Sequence, residues 1–414
     1  VRVLHLSTYD GGQGAARATY RLHQAMRVSG MDSRMRVARA SRGDSWVDAP
    51  RSKPRQALAL LRSTASWWLS KPQRSANPIT HSVAALPSRL DLELNRRPQE
   101  LLHLHWLQDE FLSVEAIGRL RGPVIWTLHD CWPFCGAEHY PHGLGDQRFA
   151  QGYGAATRPR DHRGLDLDRW TWQRKRRAWR SLLPQLQLIA PSHWMAQQAA
   201  ASSLFAGVPC RVIPNALPEV FRPYPRAQVR RWLGWPQEHR LLLFGAMDGV
   251  ADPRKGFDLL VEALQQLKQL DPALAEDCHA VVLGQSTPAV PPSLPLPVHY
   301  AGRFDDDLSL ALAYAAADVV VVPSRLDNLP QSATEPLACG TPVVAFHQGG
   351  LPDLVQHRRN GWLAAPEDAR DLALGLQWAL AQPEGSLPLE ICQAWRPEAV
   401  AGAHRDLYAE VLQR

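Results

Sequence analysis

The stretch "ADVVVVPS" at residues 317–324 constrains the fold more than any other. Four consecutive valines leave no face of an extended segment for water, so a strand built from them is covered on both sides. That environment belongs to parallel sheets sandwiched between helices. Similar short apolar runs recur along the chain: "VRVLHLS" (1–7), "LLHLHWL" (101–107), "PVIWTLH" (123–129), "QLQLIAPS" (185–192), "RLLLFGA" (240–246), "HAVVLGQ" (279–285) and "TPVVAF" (341–346). Helical patterns lie between them, as in "GAARATYRLHQAMRVSG" ending near Gly30, "GFDLLVEALQQLKQL" with its i, i+3, i+4, i+7 spacing, and "DDDLSLALAYAAA" with acidic residues in its first turn. Strands alternating with helices imply doubly wound α/β sheets.

The alternation breaks in the middle. Residues 211–240, "RVIPNALPEVFRPYPRAQVRRWLGWPQEHR", are rich in proline and read as a linker with one short helix. A chain of 414 residues is long enough for two cores. We therefore expect two Rossmann-like domains facing across a cleft. One spans 1–214, with a C-terminal helix of 396–414 packing back on it, and the other spans 215–395.

No apolar run reaches the roughly 18 residues of a membrane span. The first residues lack the basic, apolar, small-residue succession of a secretory signal. Six scattered cysteines argue against a disulfide framework. The expectation is a cytoplasmic protein. Residues 1–200 carry 29 Lys and Arg against 16 Asp and Glu, whereas the remainder carries 17 against 24. Such asymmetry suggests that the first half faces something anionic: a membrane, a nucleic acid or a phosphorylated ligand. No zinc-finger spacing, RNP motif or helix-turn-helix pattern accompanies the charge, so no nucleic acid is expected. Residues 50–74, with Trp67 and Trp68, and 169–183, "RWTWQRKRRAWRSLL", combine basic residues with tryptophan at helical spacing. Each is either an interfacial helix on anionic lipid or a solvated helix whose tryptophans pack inward.

Chemistry concentrates in "DNLPQSATEPLACGTPVVAF" (327–346), which holds Asp327 and Glu335 eight positions apart. A helix starting near Leu329 to Gln331 puts Asp327 just before its N-terminus and Glu335 about a turn and a half inside. Both then lie near the C-terminal edge of a parallel strand, where open α/β sheets bind ligands. Gly11, Gly12 and Gly14 follow the first strand and permit close approach of a phosphate or sugar. They fail as a dinucleotide fingerprint, because Arg17 stands where a third glycine is needed. Cys131, Cys135, His139 and His142 form a weak zinc pattern, better read as packing or a lid.

Residues 323–373, "PSRLDNLPQSATEPLACGTPVVAFHQGGLPDLVQHRRNGWLAAPEDARDLA", closely resemble the donor-binding region of retaining GT-B glycosyltransferases of family 4, and in particular the colanic-acid and exopolysaccharide branch. Further blocks are similar in the same order: "HLSTYDGGQGAARATYRLHQAMRVSGMDSRMRV", "TLHD", "IAPSHWMAQQA", "VIPNALPEVFRP", "FGAMDGVADPRKGFDLLVEAL" and "YAGRFDDDLSLALAYAAADVVVVPS".

The resemblance implies a GT-B fold and transfer of a sugar from a nucleotide-sugar donor to a glycan or lipid-linked acceptor with retention, in cell-surface polysaccharide biosynthesis. It implies no cofactor and no metal, and a place in the cytoplasm or peripherally on the inner face of an anionic membrane. Glu335 matches the ribose-binding Glu. Asp327 stands where the family has a sugar-binding Glu, one methylene longer. Lys255 matches the diphosphate lysine, and Asn328 and Leu329, next to Asp327 in sequence, are assigned to the donor site. A second cation is usual where this chain has Ala246, and Arg254 is the candidate to supply it. Gly11, Gly12 and Gly14 match the glycine loop over donor or acceptor. His129 matches the active-site His, and His103 or His105 either lines the acceptor side or packs. The alternative is a non-catalytic GT-B scaffold that binds nucleotide-sugar or partner polysaccharide enzymes.

Overall fold

The computed structural model describes residues 2–96, 101–143, 145–245, 252–284, 286 and 294–414. The chain forms two compact units, Val1–Ala216 with Pro397–Arg414, and Leu217–Arg396.

The first unit contains β1 (Arg2–Tyr9), β2 (Asp32–Arg39), β3 (Val47–Asp48), β4 (Gln73–Arg74), β5 (Leu101–Leu104), β6 (Val124–Thr127), β7 (Arg163–Gly164), β8 (Leu186–Ala190) and β9 (Cys210–Val212). Seven of these form a parallel sheet in the order β3-β2-β1-β5-β6-β8-β9, and β4 pairs antiparallel with β7. Side chains alternate across the sheet. Val3, Leu101, Ile125 and Ile189 therefore share one face, where they meet Leu22 and Met26 of helix Gly14–Val28 and Val400, Leu407 and Tyr408 of helix Pro397–Leu412. Elsewhere in the unit Trp126, Trp179 and Phe205 pack ring against ring.

The second unit contains β10 (Arg240–Gly245), β11 (Cys278–Leu283), β12 (Val298–Gly302), β13 (Val319–Val322), β14 (Val343–Phe346) and β15 (Gly361–Ala364). They form one parallel sheet ordered β12-β11-β10-β13-β14-β15. Odd and even residues feed separate cores. Leu241, Leu243, Val320 and Val322 face one helical layer, while Leu242, Phe244, Val319 and Val321 face the other. The valine run is buried on both faces because both layers need it.

Two of the 30 residues read as linker, Arg211 and Val212, belong to the edge strand β9, parallel to β8. The short helix of that stretch is Arg226–Leu233. The two tryptophan segments differ. In helix Leu167–Ala178 and the turn after it, Trp172 and Trp179 are buried and only Trp170 is well exposed. In helix Lys53–Ser70, Trp67 and Trp68 are 54% and 64% exposed, together with Leu58, Leu60 and Leu61. Among the described residues no helix is long and apolar enough to cross a membrane.

Candidate active site

Strand order locates the site in the second unit. The chain leaves β10 toward β11 on one side and returns at β13 on the other, so the topological switch point lies between β10 and β13. Lys255 comes from the turn before helix Phe257–Leu270, following β10, and Asp327 from the segment following β13. The Lys255 Nζ meets Asp327 Oδ2 at 2.6 Å across that point. Asp327 Oδ1 accepts the Asn328 N–H at 3.0 Å. Burial works to raise the Asp327 carboxyl, but the Lys255 ammonium, Arg254 and the Asn328 N–H outweigh it and hold the group below its ordinary range.

Two glycines lock the turns around this pair. Gly256 has φ +65°, and a Cβ there would lie 1.9 Å from the Pro323 carbonyl oxygen at the end of β13. Gly349, in the loop after β14, has φ +60°, and its Cβ would lie 2.2 Å from the Asp327 carbonyl oxygen. Only glycine fits either place. The neighbouring Gly350 N–H donates to that same carbonyl at 3.0 Å. Loops from three adjacent strands are thus fixed to one another.

Helix Gln331–Ala338 begins after Pro330 and carries Glu335 in its second turn, 2% exposed. Asn328 is buried as well. The Leu329 side chain belongs to the core, so any part it takes in binding falls to its backbone. Arg254 is grasped by Asp252, Nη2 to Oδ2 at 2.7 Å and Nε to Oδ1 at 3.2 Å, which locally compensates the charge that was to replace a missing cation. Ala246, where that cation was expected, lies outside the described residues. Sequence reasoning missed Arg325, which holds the turn together. Its guanidinium donates to both oxygens of Asp258 at 2.8 and 2.6 Å and to the Pro253 carbonyl at 2.9 Å, and its N–H donates to the Arg254 carbonyl at 2.7 Å. The arginine in "PSRLDN" was the available signal.

The remaining candidates lie in the first unit, whose switch point falls between β1 and β5. Gly11, Gly12 and Gly14 follow β1, and Gly12 has φ +84°. The loop is held by Asp10, whose carboxylate accepts the Ser41 and Arg42 N–H groups at 2.8 and 3.1 Å. Gly14 opens helix Gly14–Val28, which has no acidic residue in its first turn. His129 follows β6, and its Nε2 lies 3.0 Å from His105 Nδ1. The next link is His105 Nε2 to His5 Nδ1 at 2.9 Å. His103 bonds the Tyr408 hydroxyl at 2.6 Å and the Thr127 hydroxyl at 2.7 Å. Burial keeps these rings neutral, holding His129 at about 4 despite the opposing pull of Asp130.

Nitrogens of His5, His103 and His105 lie within 4.8 Å of one another, but both His103 nitrogens are already committed. In the cysteine stretch, His139 bonds Asp130 and Ser82. His142 stacks on His162. Burial raises the Cys135 thiol. Lys175 Nζ donates to the carbonyls of Trp132, Cys135 and Gly136, so this stretch is folded around the buried end of Lys175.

Two units of this strand order define the GT-B fold class. Residues 238–382 match the family described as glycosyl transferases group 1. The chain is 32% identical over 217 residues to a D-inositol 3-phosphate glycosyltransferase of Saccharomonospora viridis, a match covering 49% of this chain and 50% of that protein. It spans about half the length of the curated relatives it matches. Solved structures similar over the full chain include sucrose-phosphate synthase from Thermosynechococcus elongatus, with TM-score 0.62, 20% identity and 100% of both chains covered. Another is HepE of Anabaena in complex with UDP and glucose, with TM-score 0.58, 16% identity and coverage of 100% and 99%.

Proposed function

We propose that the chain is a metal-independent glycosyltransferase. It moves a sugar from a nucleotide-sugar donor to a glycan or lipid-linked acceptor with retained anomeric configuration, in the assembly of cell-surface polysaccharide. The observation that carries this reading is the Lys255–Asp327 pair at the switch point of the second unit. Departure of a nucleoside diphosphate develops negative charge, and a fixed ammonium stabilises that charge more in the transition state than in the ground state. Glu335 accepts the ribose hydroxyls, and Asp327, with Asn328 and Leu329 beside it, addresses the donor sugar. His129 and the glycine loop serve the sugar and acceptor. Retention follows from attack on one face: the anomeric C–O bond to phosphate breaks, the bond to the acceptor oxygen forms, and the acceptor proton passes to the departing phosphate.

Helix Lys53–Ser70 supports peripheral placement on an anionic membrane. Residues 50–74 contain six basic side chains and no acidic one. Lys53 and Arg55 crowd the positive end of the helix macrodipole, where anionic headgroups relieve the repulsion. The exposed Trp67 and Trp68 suit the interface.

The test is thermal stabilisation by UDP, GDP, ADP and CMP, with and without EDTA. One nucleoside diphosphate should raise the melting temperature regardless of EDTA, and Lys255→Ala and Glu335→Ala should abolish the response. No response to any nucleotide refutes the proposal. Since Asp252 compensates Arg254, a scaffold that binds without transfer is the second reading, and it is recognised by nucleotide binding with no turnover of any donor.

A further inference from the structure

Gln348 follows β14 by two residues and is 7% exposed, and its Oε1 is sealed from water with no hydrogen-bond partner among the described residues. A buried amide left unmet weakens a fold, and native proteins rarely keep one without a use for it. Exchanging the oxygen and nitrogen of the amide does not remove the difficulty, because an N–H in the sealed place would be equally unmet.

The amide does not hold its own loop. Gln348 is tied in by its backbone: its N–H donates to the Phe346 carbonyl at 2.8 Å, and its carbonyl accepts the Leu351 N–H at 3.2 Å. An apolar side chain of the same length would serve the fold better.

Strand order says what meets the amide. β10, β13 and β14 lie side by side, and the loops after them carry Lys255, Asp327 and Gln348 in that order. Neighbouring strands are about 4.8 Å apart, so the three loops follow one another along the sheet edge at roughly that step. Gly349, the next residue, lies against the Asp327 backbone, where its Cβ would come within 3.2 Å of the Asp327 nitrogen, and the Gly350 N–H donates to the Asp327 carbonyl at 3.0 Å. With Lys255 on the diphosphate and Asp327 on the sugar, the loop of Gln348 falls on the side of the sugar remote from the phosphates.

We propose that Gln348 is a specificity-determining residue: its amide turns out of the sealed place and exchanges hydrogen bonds with an uncharged hydroxyl on that remote side of the donor sugar. The proposal extends the glycosyl-transfer reading above and rests on it. An amide accepts through its oxygen and donates through its nitrogen, as a hydroxyl does both, so the two are complementary without a charge to desolvate. Because Oε1 is already without water in the free protein, its bond to the sugar is not offset by the loss of a bond to solvent. A donor that lacks the matching hydroxyl leaves the amide unmet and is rejected.

The experiment compares wild type with Gln348→Met by thermal melting and by calorimetric titration with UDP, GDP and ADP and with their glucose, galactose, mannose and N-acetylglucosamine conjugates. The variant should melt about 2–4 °C higher, since it loses an unmet buried group and no hydrogen bond. It should bind the bare diphosphate with an affinity within about twofold of wild type, and a conjugate that wild type binds about tenfold more weakly. A lower melting temperature, or a variant that does not fold, would show that the amide supports the loop and would overturn the proposal. Conjugate affinities that all match wild type would overturn it too, as would a wild-type protein that binds a diphosphate and none of the conjugates. In both of those cases nucleotide binding, and the reading built on it, stands. A wild-type protein that binds no nucleotide refutes the glycosyl-transfer reading itself, and the role of Gln348 with it.

Discussion

Replacing Asp327 by Asn should weaken the free protein and strengthen its grip on a nucleoside diphosphate. Without ligand, Asp327 holds Lys255 at 2.6 Å, and the two side chains are 14% and 37% exposed. With Lys255 more than a third exposed, solvent screens the pair and it stabilises by about 1 kcal/mol. Asn retains an oxygen for the Asn328 N–H but loses the charge, so the variant should melt about 2–4 °C lower. A diphosphate reaching the wild-type site must draw Lys255 away from this carboxylate, and that cost of about 1 kcal/mol is absent in the variant. The dissociation constant should therefore fall about fivefold, while transfer slows because the sugar loses a charged contact. The assay is calorimetric titration of both proteins with whichever nucleoside diphosphate stabilises wild type, at two salt concentrations. The difference should narrow at the higher one. Equal or weaker binding by Asp327→Asn would refute the claim that the pair competes with ligand. The pH dependence gives a second reading. Because the folded-state pKa of Asp327 is depressed, its stabilisation is present above the unfolded value of 3.8 and is lost as pH falls through the folded one. The stability deficit of the variant should vanish in that acid range.

Gly349→Ala forces a Cβ to within 2.2 Å of the Asp327 carbonyl at φ +60°, so the loop must move. We expect about 1–2 kcal/mol of lost stability from the backbone conformation alone and loss of thermal stabilisation by nucleotide; an intact nucleotide response would exclude this loop from the site. Lys175 is driven by burial from 10.5 to about 7, so between those values the unfolded chain holds the extra proton and stability climbs with pH. In urea unfolding from pH 7 to 9, Lys175→Met should lack up to about 1.4 kcal/mol per pH unit of that slope, and identical slopes would refute the assignment. Trp67→Ser combined with Trp68→Ser should abolish sedimentation with anionic vesicles while the melting temperature stays within about 1 °C, as befits exposed positions. A large fall in melting temperature would mean that these rings pack rather than dock.

Runs such as "VVVV" announced the central strands, because a segment buried on both faces has only one way to be written. β2 was harder to see. Its buried Ser33, Met35 and Val37 alternate with Arg34 and Arg36, and the many arginines mask that alternation in the sequence. The edge strand β12 is only partly buried along its whole length and has little pattern to show. Asp327, Glu335 and Lys255 stand out in the sequence because each belongs to a short motif between a strand candidate and the helix or strand that follows it. The pairing of Lys255 with Asp327 does not, since the resemblance assigns Lys255 to phosphate and Asp327 to sugar, and only the strand order brings residues 255 and 327 into contact. The histidine line was hidden for the same reason. Its partners lie 100 and 24 residues apart, and the register that aligns them exists only in the folded sheet.

Helix Pro397–Leu412 covers one face of the first unit, yet the ribosome makes it after the whole of the second. Until it emerges, Val3, Leu101, Ile125 and Ile189 lack part of their cover, and His103 lacks the Tyr408 hydroxyl. The second unit is continuous in sequence and can close as soon as residue 396 is available. Domains of a growing chain usually finish in the order in which they begin. Here that order is reversed: the unit started first is completed last, and the nascent protein carries an open apolar face through the synthesis of its second half.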